Sequence, residues 1–416
     1  MWNKKYAVIL TMASVAALHM HLTALAGWSE SGGQWYYYND TSGKLVTSDW
    51  VQVDGKWYYV DKNGAMVTNR MIDDSFYVKE NGELVKEAWM LLPDRWSSEP
   101  AWRYFGDTGR IISEGWKDID GSRYHFTDGV MDTGWLELEN DTYYLGSSGA
   151  MTTGWKKLRA ETEEWRESWY YFDRNGKQIK KSEKKIDGDT YVFDEDGRML
   201  TGWVNPEDYS SSGDENLSTD EIDFLRFYRS GGARAEGWQE RSTPDGEDEG
   251  WMFFKGGRPH SAGQGTTKVG EYGMANVEGE TYCFNEHGIM VTGLVEIEDG
   301  RKFYFDPSSG KMRTGRVVIN DDEHDHEVFY FSTTGGVGSK GDGFTGVKGG
   351  VLYEDGNIVK AGEGMRYEKV TVDGNDYLVN ERGGVKNSGT VKDADGVKYK
   401  VEKNKDGSYT VTVVES

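Results

Sequence analysis

The chain has 416 residues, 36% of them hydrophobic and 13% aromatic, and a formal net charge of −23. So acidic a chain repels nucleic acid and anionic lipid, which excludes both as expected partners and leaves cationic groups, neutral glycans and divalent ions. The apolar content sits in 16 Trp, 25 Tyr and 15 Phe, and a single cysteine, Cys283, excludes an internal disulfide framework.

Residues 1–26 read as a secretory signal. Lys4 and Lys5 form a basic start, residues 6–18 are apolar, and Ala24-Leu25-Ala26 is a small-residue cleavage site before Gly27. The apolar run is short for a membrane span of about 20 residues. No later segment reads as a span, so the mature chain is expected to be exported and any attachment to a surface to be non-covalent.

From Trp28 a unit of about twenty residues recurs nearly to the C-terminus. Its clearest copy runs from Trp50 through Asp54-Gly55 and Trp57-Tyr58-Tyr59 to Asn63-Gly64 and Met66. Asp-Gly and Asn-Gly tolerate positive φ and mark tight turns, while short aromatic strings between them read as strands. One such unit cannot bury its apolar face alone and must stack on its neighbours. The expected fold is therefore all-β: a β-hairpin repeat solenoid with a C-terminal β-hairpin cap. Alternation along each strand puts the first and third aromatics of Trp57-Tyr58-Tyr59 on one face and the second on the other.

In chain order, units open at Trp28, Trp50, Met71, Trp89, Trp116, Trp135, Trp155, Lys184, Trp203, Trp238, Leu294, Arg316 and Val347, with one more between Trp238 and Leu294. Regular repeats are expected over 27–204 and degenerate repeats with polar insertions over 205–362. The insertions at 205–222 and 239–249 read as surface loops or short hairpin extensions, with one helical turn near 221–225. Residues 363–416 read as a repeat remnant and cap, ending in strands at 397–401 and 408–414.

The recurring Gly-Trp, Gly-x-Trp-Tyr-Tyr and Gly-x-Met-x-Thr-Gly-Trp pattern, in register at Met131 to Trp135, Met151 to Trp155 and Met199 to Trp203, resembles the cell-wall-binding repeat family. That family includes choline-binding modules and glucan-binding repeats of Gram-positive surface proteins. The resemblance covers about residues 27–360. It implies an aromatic cage for a quaternary ammonium, built from the unit-opening tryptophan, the strand tryptophan and a tyrosine of the next repeat, held by cation–π attraction. Carried over by position, the cage maps onto Trp28, Trp35 and Tyr59, and again onto Trp50, Trp57 and Tyr77. Elsewhere it is expected to decay: Trp155 and Trp169 meet Val192, Trp238 and Trp251 meet Cys283, and Thr142, Thr190 and Thr281 replace the strand tryptophan.

Signals of catalysis are weak. The run from Asp321 to Glu327 holds His324 and His326 but lacks the His-Glu-x-x-His spacing of a zinc hydrolase and reads as a solvated turn. Cys283 reads as a packed thiol. No stretch of domain size is free of the repeat, so no catalytic, metal or cofactor site is expected. The function implied is binding of cell-wall teichoic acid or polysaccharide through choline-like or glycan groups, both of which stay open, at the cell surface. The alternative is an adhesin or scaffold whose degenerate C-terminal half contacts a host or partner protein.

Overall fold

A computed structural model describes residues 27–94, 99–160, 163–211, 224–336, 338–393 and 395–415. Every regular element among them is a β-strand. The expected leader and residues 221–223 of the expected helical turn lie outside the described residues. The fold is the anticipated all-β array of hairpin repeats, in which most strands pair with the strand next in sequence.

The two turn signals look alike in sequence but fold differently. Asp54 and Gly55 both have positive φ (50° and 77°), the mirror-image turn whose twist matches a two-residue hairpin. They close strands Asp49–Val53 and Lys56–Val60, in register from Asp49 opposite Val60 to Val53 opposite Lys56. At Asn63-Gly64 only the glycine is positive (80°), and the turn is built on Asp61, whose carboxylate accepts from Asn63 N at 2.8 Å and Ala65 N at 2.9 Å.

Successive hairpins are joined by three recurring devices. After its second turn the chain bonds back to the preceding hairpin: Met66 N donates to Trp35 O at 2.7 Å, Leu84 N to Trp57 O at 2.8 Å, and Met199 N to Trp169 O at 2.8 Å. The methionine of one repeat lies against the turn glycine of the next; a Cβ on Gly82 would come within 2.5 Å of Met66 Sδ, and one on Gly176 within 2.4 Å of Met151 Sδ. Finally, the residue ending the aromatic strand is sealed, as at Val60, Phe105, Phe126, Phe172, Phe193 and Phe305, each 0% exposed. Period-two alternation makes this possible, since that residue shares the inward face with the middle aromatic.

The described residues form two compact units, one within 27–154 together with 172–178, the other within 155–171 and 179–415. Within the second, among the described residues, two sheets grow beyond a hairpin with one added strand: Thr267–Val269, Tyr272–Val277, Glu280–Phe284 and Met290–Val291 form a four-stranded sheet, and Gly315–Ile319 and Glu327–Phe331 join Asn357–Ile358, Val351–Glu354 and Gly346–Lys348 in a five-stranded sheet. The insertions act partly as hairpin extensions, with Ser210–Ser211 pairing onto Gly202–Asn205 and Gly237–Ser242 pairing along Glu249–Lys255. The C-terminal hairpin Lys398–Lys403 and Tyr409–Glu415 is present and gains a third strand, Gly389–Lys392.

Register corrects one unit opening. Glu183 pairs with Val192 as Trp28 pairs with Tyr37, so Glu183, not Lys184, occupies the opening position. The extra unit between Trp238 and Leu294 is the hairpin Tyr272–Val277 and Glu280–Phe284, with Met274 at that position opposite Cys283.

Candidate functional site

In the first hairpin, Trp28 pairs with Tyr37 and Glu30 with Trp35, so these four side chains share one face. The half-buried Trp28 ring is gripped edge-on between Tyr37 of its own hairpin, 5.2 Å away, and Tyr58 of the next, 5.3 Å away. Tyr58, not the expected Tyr59, therefore closes this cleft. The reason is alternation: Trp57 and Tyr59 face onward, and only the middle residue of the string looks back. Tyr59 instead lies under Trp50 at 5.2 Å, and the second cleft is closed by Phe76 at 5.4 Å, not by the expected Tyr77. Tyr77 is buried in the core beside Phe105, its hydroxyl donating to Asn69 Oδ1. Burial raises the Tyr77 and Tyr58 phenols above their ordinary pKa, so both stay neutral.

Three more clefts are closed in the same register, two of them one residue from the expected position. Trp89 sits 5.1 Å from Tyr104 and 4.9 Å from Tyr124 of the next hairpin. Trp155 sits 5.1 Å from Tyr171 and 4.7 Å from Tyr191, where Val192 was expected. Trp238 sits 5.3 Å from Phe253 and 4.7 Å from Tyr282, where Cys283 was expected. The strand tryptophan of each of these three is open to solvent: Trp102 is 45% exposed, Trp169 43% and Trp251 45%. Trp35 and Trp57 at the same position are half-buried. The labour is thus divided. The opening tryptophan is clamped by two rings, a contact worth about 0.5–1.5 kcal/mol per pair beyond area burial, while the strand tryptophan presents an indole face to solvent.

Two openings are filled by the protein's own charges. At Trp116, flanked by His125 and Tyr143 at 5.0 Å each, the strand position is Arg123, whose guanidinium lies over the indole at 5.2 Å and 3.8 Å from Asp118. His125 is buried, with Nδ1 2.6 Å from Asp132. At the next exception Glu183 replaces tryptophan and pairs with Arg226 at 2.7 Å and Arg234 at 3.5 Å, and accepts from the Tyr228 hydroxyl. Burial opposes ionisation of Glu183, but the Tyr228 hydrogen bond and the two guanidinium groups win and hold its pKa below the ordinary carboxylate value. No sequence pattern announced either exchange, because Arg226 and Glu183 are 43 residues apart.

The remaining candidates are paired with neighbours or buried. His324 and His326 lie in an exposed turn, each paired with a neighbouring aspartate, Asp321 at 2.8 Å and Asp325 at 2.9 Å. Cys283 is fully buried, and burial pushes its thiol up to about 12, which keeps it protonated and unreactive.

Residues 44–84 and 272–317 match the choline-binding repeat family, and residues 133–151 and 164–177 match the putative cell wall binding repeat. Among curated proteins, a glucosyltransferase-S of Streptococcus downei is 30% identical over 36% of this chain and 11% of its own length. A glucosyltransferase-I of the same species is 24% identical over 68% of this chain and 19% of its own. The chain therefore spans under a fifth of the length of these relatives. Among solved structures, the modular autolysin LytC from Streptococcus pneumoniae, in complex with a synthetic peptidoglycan ligand, is 17% identical with a TM-score of 0.38, covering 72% of this chain and 57% of that one. In these four stretches the chain carries choline-binding repeats and putative cell wall binding repeats, set on the hairpins and turn glycines described above.

Proposed function

We propose that the protein is a surface-associated binding array that holds a cell-wall polymer, teichoic acid or polysaccharide, through the five aromatic clefts opened by Trp28, Trp50, Trp89, Trp155 and Trp238. The observation that carries this reading is the clamped opening tryptophan, repeated with ring spacings of 4.7–5.4 Å, with an open strand tryptophan beside it in three of the five clefts. Core packing explains the clamped ring. It does not explain leaving Trp102, Trp169 and Trp251 nearly half exposed, since large aromatic area in water marks a recognition surface.

Choline-like groups suit such clefts better than neutral sugar. An ammonium over an indole face gains about 0.5–2 kcal/mol, and the strongly acidic chain raises the local concentration of cations. Arg123 over Trp116 supports this, since a cation already rests on the ring of a sister cleft. Five weak clefts on one polymer reach useful avidity through effective concentration. The reading assigns no chemical step to the chain. The test is sedimentation of the protein with purified cell walls, competed first with choline and then with soluble glucans. Release by millimolar choline supports the reading. Release by glucans alone reassigns the clefts to sugar, and retention under both rejects it.

A further inference from the structure

We infer that the residue two positions after each opening tryptophan selects what its cleft holds, and that Glu30 and Glu240 make the clefts of Trp28 and Trp238 the ones that prefer organic cations. The inference rests on the cleft reading above and goes beyond it in making the five clefts unequal.

Register supplies the placement. Glu30 lies directly across from Trp35, and Glu240 directly across from Trp251, on the face that also carries the opening tryptophan. Cross-strand neighbours have Cβ atoms about 4.5–5.5 Å apart, close enough for a carboxylate to flank anything resting on the indole. The corresponding residue is neutral in two other clefts, Gln52 across from Trp57 and Leu91 across from Trp102. The second cleft also carries a competing cation, with Arg110 5.4 Å from the Phe76 ring. In the cleft of Trp155 the position is Lys157, neutralised by Glu167 at 3.2 Å.

One cleft displays its occupant. Arg123 stands in register where Trp35 stands, pairs across the strand with Asp118, and lays its guanidinium over Trp116. Asp118 is two residues after Trp116, the same position as Glu30 and Glu240, and its carboxylate lies 3.8 Å from the guanidinium. The chain thus shows an organic cation held between an indole face and the carboxylate at this position. In the clefts of Trp28 and Trp238 the acid and the ring are kept, but the tethered cation is replaced by tryptophan, which leaves the charge to be met by a ligand.

The test uses the full chain labelled with 5-fluorotryptophan and titrated with choline chloride, reading each strand tryptophan by fluorine NMR. Trp35→Phe, Trp57→Phe, Trp102→Phe and Trp251→Phe assign the signals. Trp35 and Trp251 are expected to saturate at about three- to tenfold lower choline than Trp57 and Trp102, an advantage of the size exposed ion pairs give and one that shrinks at high salt. Glu30→Gln is expected to bring Trp35 to the level of Trp57, Glu30→Asp to retain most of the advantage, and Gln52→Glu to move Trp57 toward tighter binding. If choline shifts the strand tryptophans but Glu30→Gln and Gln52→Glu change nothing, the selection rule is overturned and the clefts stand. If no strand tryptophan responds in the parent, both fail together.

Discussion

The repeats that open with tryptophan and those from Leu294 onward share the hairpin as their unit and differ most in one layer of side chains. In both regions the residue ending the aromatic strand is sealed: Phe126 and Phe172 in the first, Phe305, Phe331 and Val379 in the second, all 0% exposed. In both, a turn glycine receives the preceding repeat's side chain, Gly149 against Met131 in the first and Gly310 and Gly341 against Met290 and Met312 in the second. What changes is the open face. Leu294, Arg316 and Lys369 stand at the opening position, and Lys302, Val328 and Asp376 at the strand position. At the last of these hairpins a Lys369–Asp376 ion pair of 2.6 Å lies where two tryptophans would be. The hairpin stack is therefore kept where the tryptophans are lost, which separates the sealed strand-ending residues from the opening and strand positions that vary.

That separation is broken most easily at the sealed position. Phe126→Ala and Phe305→Ala should each cost about 3–5 kcal/mol, the range for emptying a buried phenylalanine site. Urea melts should place the two losses close together. A cheap Phe305→Ala would show that the second region is held by something other than the shared core.

A smaller loss is expected at the turn. Gly82 has φ of +79° and faces Met66, so Gly82→Ala adds backbone strain and pushes on a packed methionine, about 1–3 kcal/mol in thermal melts. Gly55→Ala has φ of +77° but open space around it, and should lose only the strain part. Equal losses would remove the methionine contact from the account.

Glu183 sharpens the comparison by pH. Its folded pKa is lowered, so its contribution to stability is fully present above the ordinary glutamate value near 4.3 and is lost as pH falls through the folded value. Glu183→Gln should cost about 1–2 kcal/mol at neutral pH, since it leaves Arg226 and Arg234 without their carboxylate. The parent should lose that advantage on acidification while the variant does not, as measured by melting temperature against pH.

Much of the fold was legible because it rests on local signals. Asp54-Gly55 and Asn63-Gly64 locate the turns, and Trp57-Tyr58-Tyr59 the strand between them. The clefts were legible by type but displaced by one residue at the closing wall. The alternation that separates Tyr58 from Tyr59 is itself a sequence rule, and applying it between hairpins would have found Tyr58, Phe76, Tyr191 and Tyr282. The ion network of Glu183 was not legible, because it depends on which distant strand packs on which. Arg123 over Trp116 required the register of a hairpin rather than its composition.

The smallest expected effect on stability is the most informative about function. Trp102→Ala, Trp169→Ala and Trp251→Ala, singly or combined, remove rings nearly half open to solvent and should each cost under about 1 kcal/mol. The triple variant should therefore melt within a few degrees of the parent while its retention on purified cell walls falls steeply. A triple variant that melts far lower yet binds as well per folded molecule would contradict the account and return these tryptophans to the core.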